Sequence, residues 1–173
     1  MPTSLYDMSV ANYQQTVAAV GGILDKGLAH CTSSNTDPGH MVASRLAADM
    51  LPLQFQIVSV AHHSLGTIEG IKAGVFSPPG KTDPLDYAGL QKMVADTAEG
   101  LGRLRREEVD ALAGKDVVFQ IGDRKVPFTA ENFVLSFSLP NFYFHATTAY
   151  DILRTNGVPL GKRDFLGRMR IKA

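Results

Sequence analysis

The chain has 173 residues, 45% of them hydrophobic and 20% charged, which suits one globular domain over residues 1–173 and is too short for two ordinary ones. Its 17 Lys and Arg balance its 17 Asp and Glu, so no global field draws it to nucleic acid, an anionic membrane or an acidic substrate. The single cysteine, Cys31, excludes an internal disulfide framework and a multi-cysteine zinc ribbon; with neither a leader-like start nor a run of about 18 apolar residues, the expectation is a soluble cytoplasmic protein.

From about Ser9 to Cys31, Val10, Tyr13, Val17, Val20, Leu24 and Leu28 recur every three or four residues, the pattern of an amphipathic helix. CTSSNTDPGH then reads as a loop. A second helix is expected from near His40, with Leu46, Met50, Leu53, Ile57, Val60, Ser64 and Ile68 on one stripe for roughly eight turns. Pro52 should bend it. FSPPGKTDP ends the pattern, and Asp83 before Pro84 resembles an N-cap with proline at the first helical position. The third helix is expected from about Pro84 to Leu112, with Leu90, Met93, Val94, Thr97, Leu101 and Leu104 inward and the run RLRREEVD as a solvated face. VVFQIGDRKVPF, rich in β-branched and aromatic residues with Gly122 and Asp123 at a turn, predicts one short hairpin. Thr129 should cap a fourth helix from about Ala130 to Thr155, bent at Pro140 and closed by Gly157 and Pro159. The expected architecture is all-α: a four-helix bundle with a β-hairpin inserted before the last helix.

At 100° per residue, Val134, Ser138, Asn141, Thr148, Ala149 and Ile152 share the face of His145 on the fourth helix. Small polar side chains on an inward face need partners. Asp49, about 70° from the centre of the second helix's apolar stripe, is the candidate opposite. Asp49, Ser138, Asn141, His145 and Thr148 thus outline an inter-helix small-molecule pocket. A carboxylate and an imidazole there suit a metal or acid–base chemistry, and equally a structural Asp–His pair. His62 is expected to face solvent. His63 lies about 21 Å along a regular helix from Asp49, which separates it from that site. His30 and Cys31 fall at a helix end, where Cys31 has no visible activating group, and His40 reads as loop. No phosphate-binding glycine loop, nucleotide fingerprint, HExxH pair or GxSxG elbow is present. The tail GKRDFLGRMRIKA, with Lys162, Arg163, Arg168, Arg170 and Lys172 against Asp164, lacks the interleaved aromatics of a nucleic-acid surface.

The stretch LPNFYFHATTAYDILRTNGVPLGKRDFLG resembles a bacterial domain-of-unknown-function family within the DinB-like (YfiT-like) metalloenzyme superfamily, over essentially the whole chain. That resemblance implies a DinB-like bundle that pairs as a homodimer. It also implies a divalent metal held by an HxxxH pair on the last helix and one His on the second. His145, followed by Leu153, Arg154 and Gly157, fits the second His of the pair. Asn141 stands at the first, and RLAADMLPLQ offers Asp49 in place of the second-helix His. His145, Asp49 and Asn141 would be a harder ligand set than three imidazoles, suited to oxygen-preferring ions. Two readings follow: a divergent metal-dependent enzyme with an incomplete triad, or a non-catalytic dimeric bundle that binds a ligand or partner without metal. A third, nucleic-acid binding through the basic tail, is disfavoured by the neutral net charge.

Overall fold

A computed structural model describes residues 3–172. Ser4 accepts from the Asp7 amide and opens a short helix, α1 (Leu5–Met8). At Ser9 the backbone turns aside (φ −111°, ψ −82°) while the hydroxyl donates to Leu5 O at 2.6 Å, the side-chain competition by which serine bends or ends helices. The next helix, α2 (Val10–Ser34), buries Val10, Tyr13, Val17, Val20 and Leu24 as their spacing requires. It runs past Cys31 into the expected loop and stops at Asn35, whose φ of 54° is left-handed. Asp37 then caps α3 (Pro38–Ala43).

The long second helix expected from His40 is interrupted twice. Proline has no amide hydrogen and pushes the residue before it out of the helical region. The proline accounts for the break at Leu51; residues 44–52 are irregular, Leu46 is exposed, and Pro52 is the N-cap of α4 (Leu53–His62) rather than a bend within a helix. After His63, Ser64 repeats the device of Ser9: φ −115°, ψ −88°, and a hydroxyl donating to Val60 O at 2.7 Å. Beyond it, α5 (Leu65–Ala73) ends at Gly74 with φ 77° and leads into β1 (Val75–Phe76).

Asp86, not Asp83, caps α6 (Tyr87–Gly102), by accepting from the Gly89 amide. The charged run forms a separate helix, α7 (Arg106–Asp110), that fastens α1. Arg106 pairs with Asp7 at 2.7 Å and lies 4.6 Å over the Tyr6 ring, and Asp110 accepts from the Tyr6 amide.

The expected hairpin is β2 (Asp116–Ile121) and β3 (Arg124–Thr129), in register from Asp116–Thr129 to Ile121–Arg124. Gly122, with φ 56°, takes the first central turn position, where a positive φ matches the strand twist. A two-residue strand carries no readable period, so β1 was not expected; it pairs in parallel with β2, making a three-stranded sheet ordered β1-β2-β3.

Thr129 caps α8 (Ala130–Phe133), which widens into a π turn at Val134–Ser138 before α9 (Leu139–Thr155). The distortion expected at Pro140 takes this form: the Leu139 amide reaches Val134 O, five residues back. Gly157, with φ 86°, closes the helix. The last helix, α10 (Lys162–Leu166), lies along α2, tied by Lys26–Asp164 at 2.6 Å and by Gln15 donating to Leu166 O. Four segments, α2, α4–α5, α6 and α8–α9, make the bundle, with α2 packed on α6 and α9, and α4 on α9 and α6. Tyr13 meets Phe142 edge to face at 5.0 Å in its centre. Among the described residues no helix is long and apolar enough to cross a membrane.

Gly27 marks the tightest helix contact. A Cβ there would stand 2.2 Å from the Tyr87 hydroxyl, which is held by its bond to Leu24 O at 2.8 Å. Gly27→Ala should destabilise by about 1–3 kcal/mol despite its better helix propensity. Urea unfolding should show that cost shrinking in a Tyr87→Phe background, a non-additivity that additive losses would refute.

Candidate functional site

Two helices supply the polar groups that meet inside the bundle. Gln56 and His63 lie seven residues, two turns, apart on α4 and its cap; Ser138, at the end of the π turn, and His145 on α9 have the same spacing. The helices run antiparallel, so Gln56 faces His145 and His63 faces Ser138. Gln56, only 2% exposed, donates through Nε2 to Leu51 O at 2.8 Å, which turns its Oε1 toward His145 Nδ1, also 2.8 Å away. A carboxamide oxygen only accepts, so His145 carries its proton on Nδ1 and keeps the Nε2 lone pair.

His63, 7% exposed, stacks on His145 with ring centroids 5.8 Å apart and planes 14° from parallel. Its Nδ1 is buried without a hydrogen-bond partner among the described residues. Phe76 and Phe137 flank the His63 ring, while Phe55 and Phe144 stand edge-on to His145. Burial lowers the pKa of His145 to about 4. Burial and then the neighbouring His62 and His145 lower that of His63 to about 3. Neither value is set by a carboxylate, and both rings are neutral at pH 7.

His62, expected in solvent, is half-buried: its Nε2 donates to Ser77 O at 2.8 Å and its ring packs 4.3 Å from Phe76. Asp49, expected on a helix facing His145, sits on an exposed turn in residues 44–52 and makes no hydrogen bond or ion pair among the described residues. The interruption ahead of Pro52 is the cause. Asn141 donates to Phe137 O on its own helix at 2.7 Å, and Thr148 donates likewise to Phe144 O at 2.8 Å. Ser138, fully buried, bonds Tyr13, Thr67 and His63 O. Of the five pocket residues read from sequence, His145 and Ser138 therefore look across to α4.

A metal centre of the kind the superfamily implies is tested by these positions. Among the described residues no group of three or more His, Cys, Asp or Glu side chains converges to hold an ion. His63 and His145 do fit the nitrogen half of such a centre: both are neutral, one has an orphaned buried nitrogen, and the other has Nε2 freed by Gln56.

A four-helix bundle with a hairpin before its last helix and histidines facing across α4 and α9 defines a DinB-like protein. It belongs to the family described as a domain of unknown function, DUF1993, whose model matches residues 5–166. It is similar to a DinB family member from Shewanella denitrificans known by crystal structure, with 28% identity and a TM-score of 0.81 over 98% of this chain and 95% of that one. No curated protein matches the chain.

The depressed histidines tie stability to pH. Their folded pKa values lie below the ordinary 6.5, so the unfolded chain binds more protons from about pH 6.5 down to about pH 3. Stability should be complete above pH 6.5 and fall as the solution is acidified, by at most about 1.4 kcal/mol per pH unit for each histidine. Melting between pH 7 and 4 in the presence of a chelator should show the fall, and a His63→Gln/His145→Gln variant should flatten it; an equal slope in both proteins would refute the assignment.

Proposed function

We propose that this chain is a divergent, metal-dependent DinB-like enzyme whose centre is built on His63 and His145. The observation that carries the reading is the Gln56–His145 bond, which fixes one tautomer and aims the Nε2 lone pair beside a second neutral imidazole. His63 and His145 hold the ion, and Gln56 orients His145. This set differs from the Asp49, Asn141 and His145 set expected from sequence, and imidazoles without carboxylates suit Zn, Ni or Cu better than Mg or Ca. When bound, such an ion supplies Lewis acidity toward a water or a small molecule at its open positions. Phe55, Phe137 and Phe144 pack against the two imidazoles and would limit an ion's contact with water.

The second reading, a non-catalytic dimeric bundle, is favoured by one observation. Leu51, 47% exposed, and Phe144, 56% exposed, flank the Gln56–His145 bond, so the α4–α9 face offers an apolar rim that a second copy would cover. Light scattering should then give a dimer that Phe144→Glu converts to a monomer.

Elemental mass spectrometry and zinc titration of untagged protein separate the two. The enzyme reading expects near-stoichiometric metal, lost in His145→Ala and in His63→Ala, weakened about tenfold in Gln56→Leu and unchanged in Asp49→Ala. Absence of metal from the wild type after incubation with zinc, nickel and manganese overturns it and leaves the dimeric bundle.

A further inference from the structure

We infer that Ser138 is the positioning residue of this centre: its hydroxyl holds the backbone of His63 so that the imidazole stacks on His145. The inference rests on the proposed two-histidine centre, but its geometry stands on separate observations.

In an unbroken helix His63 O would accept from the Thr67 amide. Ser64 diverts the chain, and the Thr67 amide goes instead to Ser64 O at 3.2 Å. His63 O is left as a helix-end acceptor inside the bundle, where an unmet carbonyl is costly. Ser138 Oγ donates to it at 2.8 Å from across the interface. A carbonyl can only accept, so the single Ser138 hydrogen is committed there. Tyr13 O–H at 2.6 Å and Thr67 O–H at 2.7 Å must then both donate to Ser138. One donor and two lone pairs are all used, which leaves the hydroxyl no freedom to rotate.

Ser138 is also the last residue of the π turn, a distortion that recurs at functional sites. Two turns further along the same helix, His145 meets the His63 ring. One helix therefore grips His63 twice, by its carbonyl and by its ring. Among the described residues the ring has no hydrogen bond at Nδ1 to hold it, so its placement depends on the fixed backbone and on stacking. Tyr13 and Thr67 bring α2 and α5 into the same clamp.

The test uses the full-length, metal-free protein with Ser138→Ala, Ser138→Cys and Tyr13→Phe. The readouts are helical circular dichroism, the nuclear Overhauser contact between the His63 and His145 ring protons, and zinc affinity by titration. Ser138→Ala should keep its helical signal, lose the ring–ring contact and weaken zinc about tenfold. Ser138→Cys, a near-isosteric weak donor, should fall between it and wild type, and it carries the test if the alanine variant does not fold. Tyr13→Phe removes one donor to Ser138 but spares the bond to His63, so it should lower the melting temperature while the ring contact and zinc affinity persist. An unchanged ring contact in both Ser138 variants overturns the inference. So does an equal loss in Tyr13→Phe, which would assign the effect to packing in general. If zinc fails to bind any protein while the ring contact responds as stated, Ser138 keeps its positioning role and the metal reading alone fails.

Discussion

A carbonyl that has lost its helical partner inside a packed bundle must find a donor, and in this protein the carbonyl of His63 finds Ser138. Much of the interior is arranged around that need. The break at Ser64 creates the acceptor, and the π turn at Val134–Ser138 ends on the residue that answers it. Tyr13 crosses from α2 to complete the hydroxyl's bonds while its ring packs on Phe142. Two irregular helices and one regular one thus meet at a single oxygen. Replacing either irregular helix by a straight one would leave a buried polar group unmet.

Beside this clamp the bundle keeps two imidazoles neutral by withholding water and charge. Only burial acts on His145, and on His63 burial acts first, reinforced by its imidazole neighbours. The charged pairs lie toward the surface, where Lys92–Asp96 is largely solvated and Lys26–Asp164 and Arg106–Asp7 are partly so. A metal centre of the kind proposed above would find nitrogen lone pairs there without a counter-charge. That separates it from a carboxylate site, in which the charge would attract hard cations before any ligand arrived.

The helical stripes were legible because burial follows a 3.6-residue period, and Val10 to Leu24 and Leu90 to Leu101 obey it. The Gly122 turn and the Thr129 cap were legible because each requires a particular residue type. His145 was legible because an imidazole among small polar side chains on an inward face needs a partner. His63 and Gln56 were missed for one reason: the second helix was extended through Pro52, so that its apparent site fell at Asp49. Gln56 and His63 share one face on any wheel, and their seven-residue spacing matches that of Ser138 and His145, so anchoring the site at Gln56 instead of Asp49 brings His63 into it. The breaks at Ser9 and Ser64 depend on where a hydroxyl turns, which no periodicity records.

The two-residue strand β1 joins the sheet by few backbone bonds. Its partner β2 lies some forty residues later, and the pairing is parallel, so α6 and α7 must be traversed before Val75 can meet Val118. So short an edge strand is held less firmly than the helix packing around it, although α2–α6 and α4–α9 join segments still further apart in sequence. Phe76, carried by β1, is what walls the His62 and His63 rings from solvent. That corner should be the first to open when the native state fluctuates.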